Sequence, residues 1–95
     1  MSEPANRGLV LQVLHTQYPL ALTRVALESR VLPFYGQDSR ELARDIAYLE
    51  DKGYLRQDAT EVDDLRVHTF RITANGVDVV EKRIKDPGVA MAGTR

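Results

Sequence analysis

Two short words set the order of elements over most of this chain. The first, Leu49-Glu50-Asp51-Lys52-Gly53-Tyr54-Leu55, predicts a helix stopped by glycine and followed by a strand. The second, Phe70-Arg71-Ile72-Thr73-Ala74-Asn75-Gly76-Val77, predicts the end of a strand and a helix opened by threonine. Gly53 stands where a left-handed C-cap is needed, and Thr73 where a side-chain oxygen accepts from the first free helical N–H groups. The polar residues 58 to 65 between them read as a hairpin tip.

The rest of the chain extends this order in both directions. Pro4 suits a first helical turn, with Ser2 or Glu3 as cap, so a first helix is expected from Pro4 or Ala5 to about Tyr18, ended by Pro19. Its apolar residues are Leu9, Val10, Leu11, Val13, Leu14 and Tyr18. They span an arc of roughly 200°, wider than a usual core-facing stripe, which fits either deep burial in a small core or a face shared with a second subunit as a homodimer. Thr23 caps a second helix through about Val31, with Val25, Ala26, Leu27 and Val31 inward. Pro33 stops it, and Phe34 and Tyr35 fill the edge of the core.

Asp38 and Glu41 have the spacing of a capping box for a third helix, buried through Leu42, Ile46 and Leu49 and flanked by Ala43 and Ala47. Phe70 and Ile72 point inward from the second strand. Val77, Val80 and Ile84 form the stripe of the last helix, with Lys82, Arg83 and Lys85 in its last turn. Pro87 and Gly88 end it. The fold class is thus α+β, helix-dominated, in the order α-α-α-β-β-α. One domain spans 5–86, and 87–95 reads as a disordered tail.

This order resembles the winged helix-turn-helix superfamily. The pattern leucine, acid, any, basic, glycine, apolar, apolar is similar to the end of the third helix in bacterial regulators of the multiple-antibiotic-resistance and phenolic-acid repressor types. Ile72-Thr73-Ala74-Asn75-Gly76 is similar to the start of their last helix. In overall character the chain also resembles small winged-helix proteins carried by Mu-like phages. The resemblance implies duplex DNA binding, as in transcription regulation or a phage accessory role. Carried over by position, Ser39, Arg40, Ala43, Arg44 and Ala47 form a reading face, and Arg66 and Arg71 are phosphate contacts of the hairpin, or wing.

The residues weigh on both sides of that implication. Arg40 and Arg44 lie one turn apart and suit guanine or phosphate, and Gln37 and Ser39 sit at a helix start able to bond phosphate. Alternatively, Arg40 pairs with Glu41 or Asp45, and Arg44 with Asp45, Glu41 or Tyr48, as a solvated surface. The hairpin tip carries Asp58, Glu61, Asp63 and Asp64, and the net charge is −1 with a pI near 6.1. Phosphate affinity comes largely from counterion release by Lys and Arg, so such a tip repels a duplex. A positive face then requires Arg24 and Arg30 to converge with Arg40 and Arg44. A protein-interaction module without nucleic-acid affinity is the contrasting expectation.

Other classes lack parts. There is no cysteine, and His15 and His68 are the two histidines, so neither a metal site nor a catalytic triad is expected. No cofactor motif appears. Met1-Ser2-Glu3-Pro4 has neither the basic nor the apolar region of a signal peptide, and no stretch nears the roughly 20 apolar residues of a membrane span. A cytoplasmic location is expected.

Overall fold

The structure, a computed structural model, describes residues 3–91. Its elements are α1 (Glu3–Gln17), β1 (Leu22–Thr23), α2 (Arg24–Val31), a 3-10 turn (Leu32–Tyr35), α3 (Ser39–Asp51), β2 (Leu55–Val62), β3 (Leu65–Ile72) and α4 (Ala74–Val80). The class is α+β and helix-dominated, with the α-α-α-β-β-α order of a winged-helix-like arrangement. No helix among the described residues is long and apolar enough to cross a membrane.

Local chemistry explains most of these boundaries. Thr23 accepts from the Ala26 amide, Asp38 from the Arg40 and Glu41 amides, and Thr73 from the Gly76 amide. At the end of α3, Gly53 has φ +79°; its N–H bonds Glu50 O and the Tyr54 N–H bonds Leu49 O, the paired bonds of a Schellman stop. Leu42 and Leu49 are wholly buried and Ile46 nearly so, as their spacing predicts. Val10, Leu11 and Leu14 are buried in the chain's own core, so the wide apolar arc of α1 is largely used within one molecule. Ala43 and Ala47, by contrast, face solvent.

The sheet departs from expectation. Residues 58 to 65 are not an irregular tip: β2 pairs antiparallel with β3 without interruption from Leu55↔Ile72 to Val62↔Leu65. The turn is Asp63-Asp64 alone, with φ of +51° and +67°. Two positive φ values give a two-residue turn whose twist matches the flanking strands, and aspartate tolerates that conformation better than most residues. A third strand, β1, lies on the other side of β3 through Leu22↔Phe70 and Thr23↔Thr69. Phe70 and Ile72 do point inward. Val25 is 76% exposed rather than inward, and of the Phe34-Tyr35 pair Tyr35 alone is buried.

The chain's end differs too. Helix α4 stops at Val80, before Ile84. Lys82 takes φ +65° as a Schellman residue, its N–H on Val79 O and the Arg83 N–H on Asp78 O. Lys82, Arg83 and Lys85 therefore lie beyond the helix, which buries Val79 and Gly76. Of the expected tail, residues 87–91 are a packed strap; 92–95 lie outside the described residues. Tyr54 Oη donates to Asp86 Oδ2 (2.6 Å), Val89 is buried, and the Ala90 N–H reaches Pro4 O (2.9 Å). Gly8 permits this approach, because a Cβ there would stand 1.9 Å from Ala90 O.

Two outcomes follow. Gly8→Ala forces the strap away from α1 and is expected to lower unfolding free energy by about 1–3 kcal/mol in urea titration. The Tyr54 phenol, held neutral by its bond to Asp86, is pushed up to about 12 from 10.0. A phenol raised on folding stabilises fully below its unfolded pKa, and that stability is lost as pH rises through the folded value. Thermal unfolding should therefore show a loss between about pH 10 and 12 that Tyr54→Phe reduces.

Candidate nucleic-acid interface

Helix α3 is positioned by a buried charge as well as by its apolar stripe. Asp45, 2% exposed, faces the core side of the helix. Arg7 Nε donates to its Oδ1 (3.1 Å) and Tyr35 Oη to its Oδ2 (2.6 Å). Arg7 also stacks over the Tyr48 ring, 3.8 Å from its centroid, and donates to Gly88 O. Burial and the bond to Asp45 hold the Tyr35 phenol far above its usual range. The carboxylate that was expected to neutralise Arg40 or Arg44 on the surface is thus committed inside. It ties α3 to α1, to the 3-10 turn and, through Arg7, to the strap.

With Leu42, Asp45, Ile46 and Leu49 turned inward, the helical repeat turns Arg40, Ala43, Arg44 and Ala47 outward, and all four are exposed. Arg40 makes no ion pair among the described residues. Arg44 pairs with Glu3 of α1, and both side chains are more than half exposed. The four-arginine face expected across α2 and α3 is smaller than four. Arg24 is half-buried against Phe70 and bonded to Glu28 (2.8 Å), which leaves Arg30 and Arg40 without ion-pair partners among the described residues.

The helix start is less open than expected. Ser39 and Gln37 are exposed, and Gln37 adopts φ +65°, but the Arg40 and Glu41 amides already donate to Asp38. Those two donors are not available to a phosphate.

Register separates the two wing arginines. Side chains alternate along a strand, so Arg66 lies on the face shared with Phe70, and Arg71 on the opposite one. Arg66 stands across from Glu61. Arg71 stands across from Arg56, a residue the sequence reading passed over because the pairing was not visible. His68 also lies on the strand face of Phe70, with Gln57 beside it (3.0 Å). His15 contacts Glu81 (3.2 Å), whose carboxyl this bond lowers. No group of three or more potential metal ligands is found among the described residues. An open groove of about 740 Å³ runs beside the strap, lined by Val79, Ile84, Val89 and Met91 among others. None of the expected binding residues lines it.

Comparison with family models, with curated proteins and with solved structures gave no match.

Removing either side of the buried pair leaves an uncompensated charge. Arg7→Met is expected to cost about 3–5 kcal/mol in chemical denaturation, far more than Arg44→Met, whose exposed pair contributes about 0–1 kcal/mol.

Proposed function

We propose that this chain binds duplex DNA through the outward face of α3, as a small transcription regulator or phage accessory protein of the cytoplasm. One observation carries the reading: α3 shows solvent two arginines one turn apart, with the small residues Ala43 and Ala47 between and beside them. Arginine supplies both bidentate guanine contacts and counterion release, and alanine lets a groove wall approach the helix. Asp45, next to Arg44 in sequence, is withdrawn into the core, while Glu41, next to Arg40, stays exposed. The Glu3 contact on Arg44 is a surface pair, weak enough for a phosphate to displace.

A second reading is favoured by the wing tip. Val62 and Leu65 are 52% and 68% exposed and flank Asp63-Asp64. An acidic turn framed by two apolar side chains suits a protein surface better than a phosphate backbone, and supports an interaction module without nucleic-acid affinity.

Fluorescence anisotropy with a mixed-sequence duplex separates the two. The DNA reading expects affinity that falls steeply with salt, and a log–log salt slope lowered by about 2 in Arg40→Ala/Arg44→Ala. Glu3→Gln, which frees Arg44, should tighten binding by up to about fivefold. Absence of binding at low salt in the unsubstituted protein contradicts the reading.

A further inference from the structure

The wing tip and the groove beside the strap have complementary chemistry. At the tip, Val62 and Leu65 stand opposite each other in the ladder and so share one face of the ribbon, 52% and 68% exposed. Asp63 and Asp64 form the turn between them, both exposed and in no ion pair among the described residues. The groove has the matching character. Val79, Ile84, Val89 and Met91 give it an apolar lining, and Ile84 is 36% exposed. Lys82 and Lys85 line it as well, and both are exposed. Asp86, the acid of the lining, is turned inward: its carboxylate accepts from Tyr54 Oη and the Gly88 N–H and lies 3.5 Å from Lys52 Nζ. The groove therefore presents cationic side chains around an apolar floor.

We infer that the wing tip of one copy of this chain docks in the groove of another. Docking removes exposed apolar side chains from water on both surfaces, and sets the two aspartates against the two lysines. A chain cannot fill its own groove. The groove lies near the base of the ribbon, where Tyr54 holds Asp86. The tip pair Val62↔Leu65 stands seven register positions from Leu55↔Ile72, about 24 Å away at a rise of ~3.4 Å per residue. Tip and groove are different surfaces, so the contact is heterologous: it closes into a small ring or extends from copy to copy. The inference takes from the second reading above only that the tip suits a protein surface, and it does not use the outward face of α3.

Sedimentation velocity on the full chain, at concentrations up to about 1 mM, tests the contact. The apparent mass of the unsubstituted protein should rise with concentration. Val62→Ser/Leu65→Ser at the tip and Ile84→Glu in the groove replace exposed residues, and each variant alone should stay monomeric. An equimolar mixture of the two should associate again, since one keeps its groove and the other its tip. Asp63→Asn/Asp64→Asn, with asparagine suited to the positive φ of the turn, and Lys82→Gln/Lys85→Gln should each weaken self-association about threefold at low salt and remove its salt dependence. A monomer at every concentration in the unsubstituted protein overturns the inference, whatever duplex titration shows of α3. A rise in mass that persists in both the tip and the groove variants, or a mixture that stays monomeric, overturns it as well.

Discussion

The bond set around Asp45 fixes where α3 sits. A buried carboxylate in an apolar core is strongly disfavoured unless it is paired and hydrogen-bonded. Here both oxygens are occupied, one by Arg7 and one by Tyr35. The three groups come from α1, the 3-10 turn and α3, so the rotation of α3 about its axis is set by a polar contact that tolerates one arrangement. Leu42, Ile46 and Leu49 supply burial, but an apolar stripe alone permits a helix to roll. With Asp45 held, Arg40 and Arg44 can only face water.

The same arginine joins the two ends of the described chain. Arg7 reaches Gly88 O, Ala90 bonds Pro4 O, and Asp86 is held by Tyr54 just past the end of α3. The strap therefore closes the core on the side of α1 and α4, and the third helix and the strap share supports. The Asp86 carboxyl, accepting from Tyr54, is kept below its ordinary range. Close backbone approach at Gly8 is what makes room for this arrangement.

What could be read from the sequence divides along contact range. Caps at Thr23, Asp38 and Thr73 and the stop at Gly53 depend on residues within a few positions, and each stood in the chain as a local word. The two strands were legible, but the reach of their pairing through residues 58 to 62 was hidden, because β2 is exposed almost throughout and no alternation of apolar and polar residues marks it. Strand β1 has two residues, too few for any pattern. Asp45 looked like one more surface acid because its partners are 38 positions before it and 10 before it. The strap looked structureless for the same reason: its anchors, Pro4, Gly8, Arg7 and Tyr54, are remote in sequence. Of the candidate site, the exposure of Ser39, Arg40, Ala43, Arg44 and Ala47 was legible from helical spacing. The pairing of Arg44 with Glu3 and the placement of Arg71 across from Arg56 required coordinates.

The claim at the centre of this account is that the outward face of α3 meets duplex DNA. Backbone amide shifts followed by NMR during titration with a short duplex at low salt address it residue by residue. The account predicts perturbations concentrated at residues 39, 40, 43, 44 and 47 that reverse on raising the salt. Shifts confined to the turn at residues 62 to 65, or none anywhere, would contradict it.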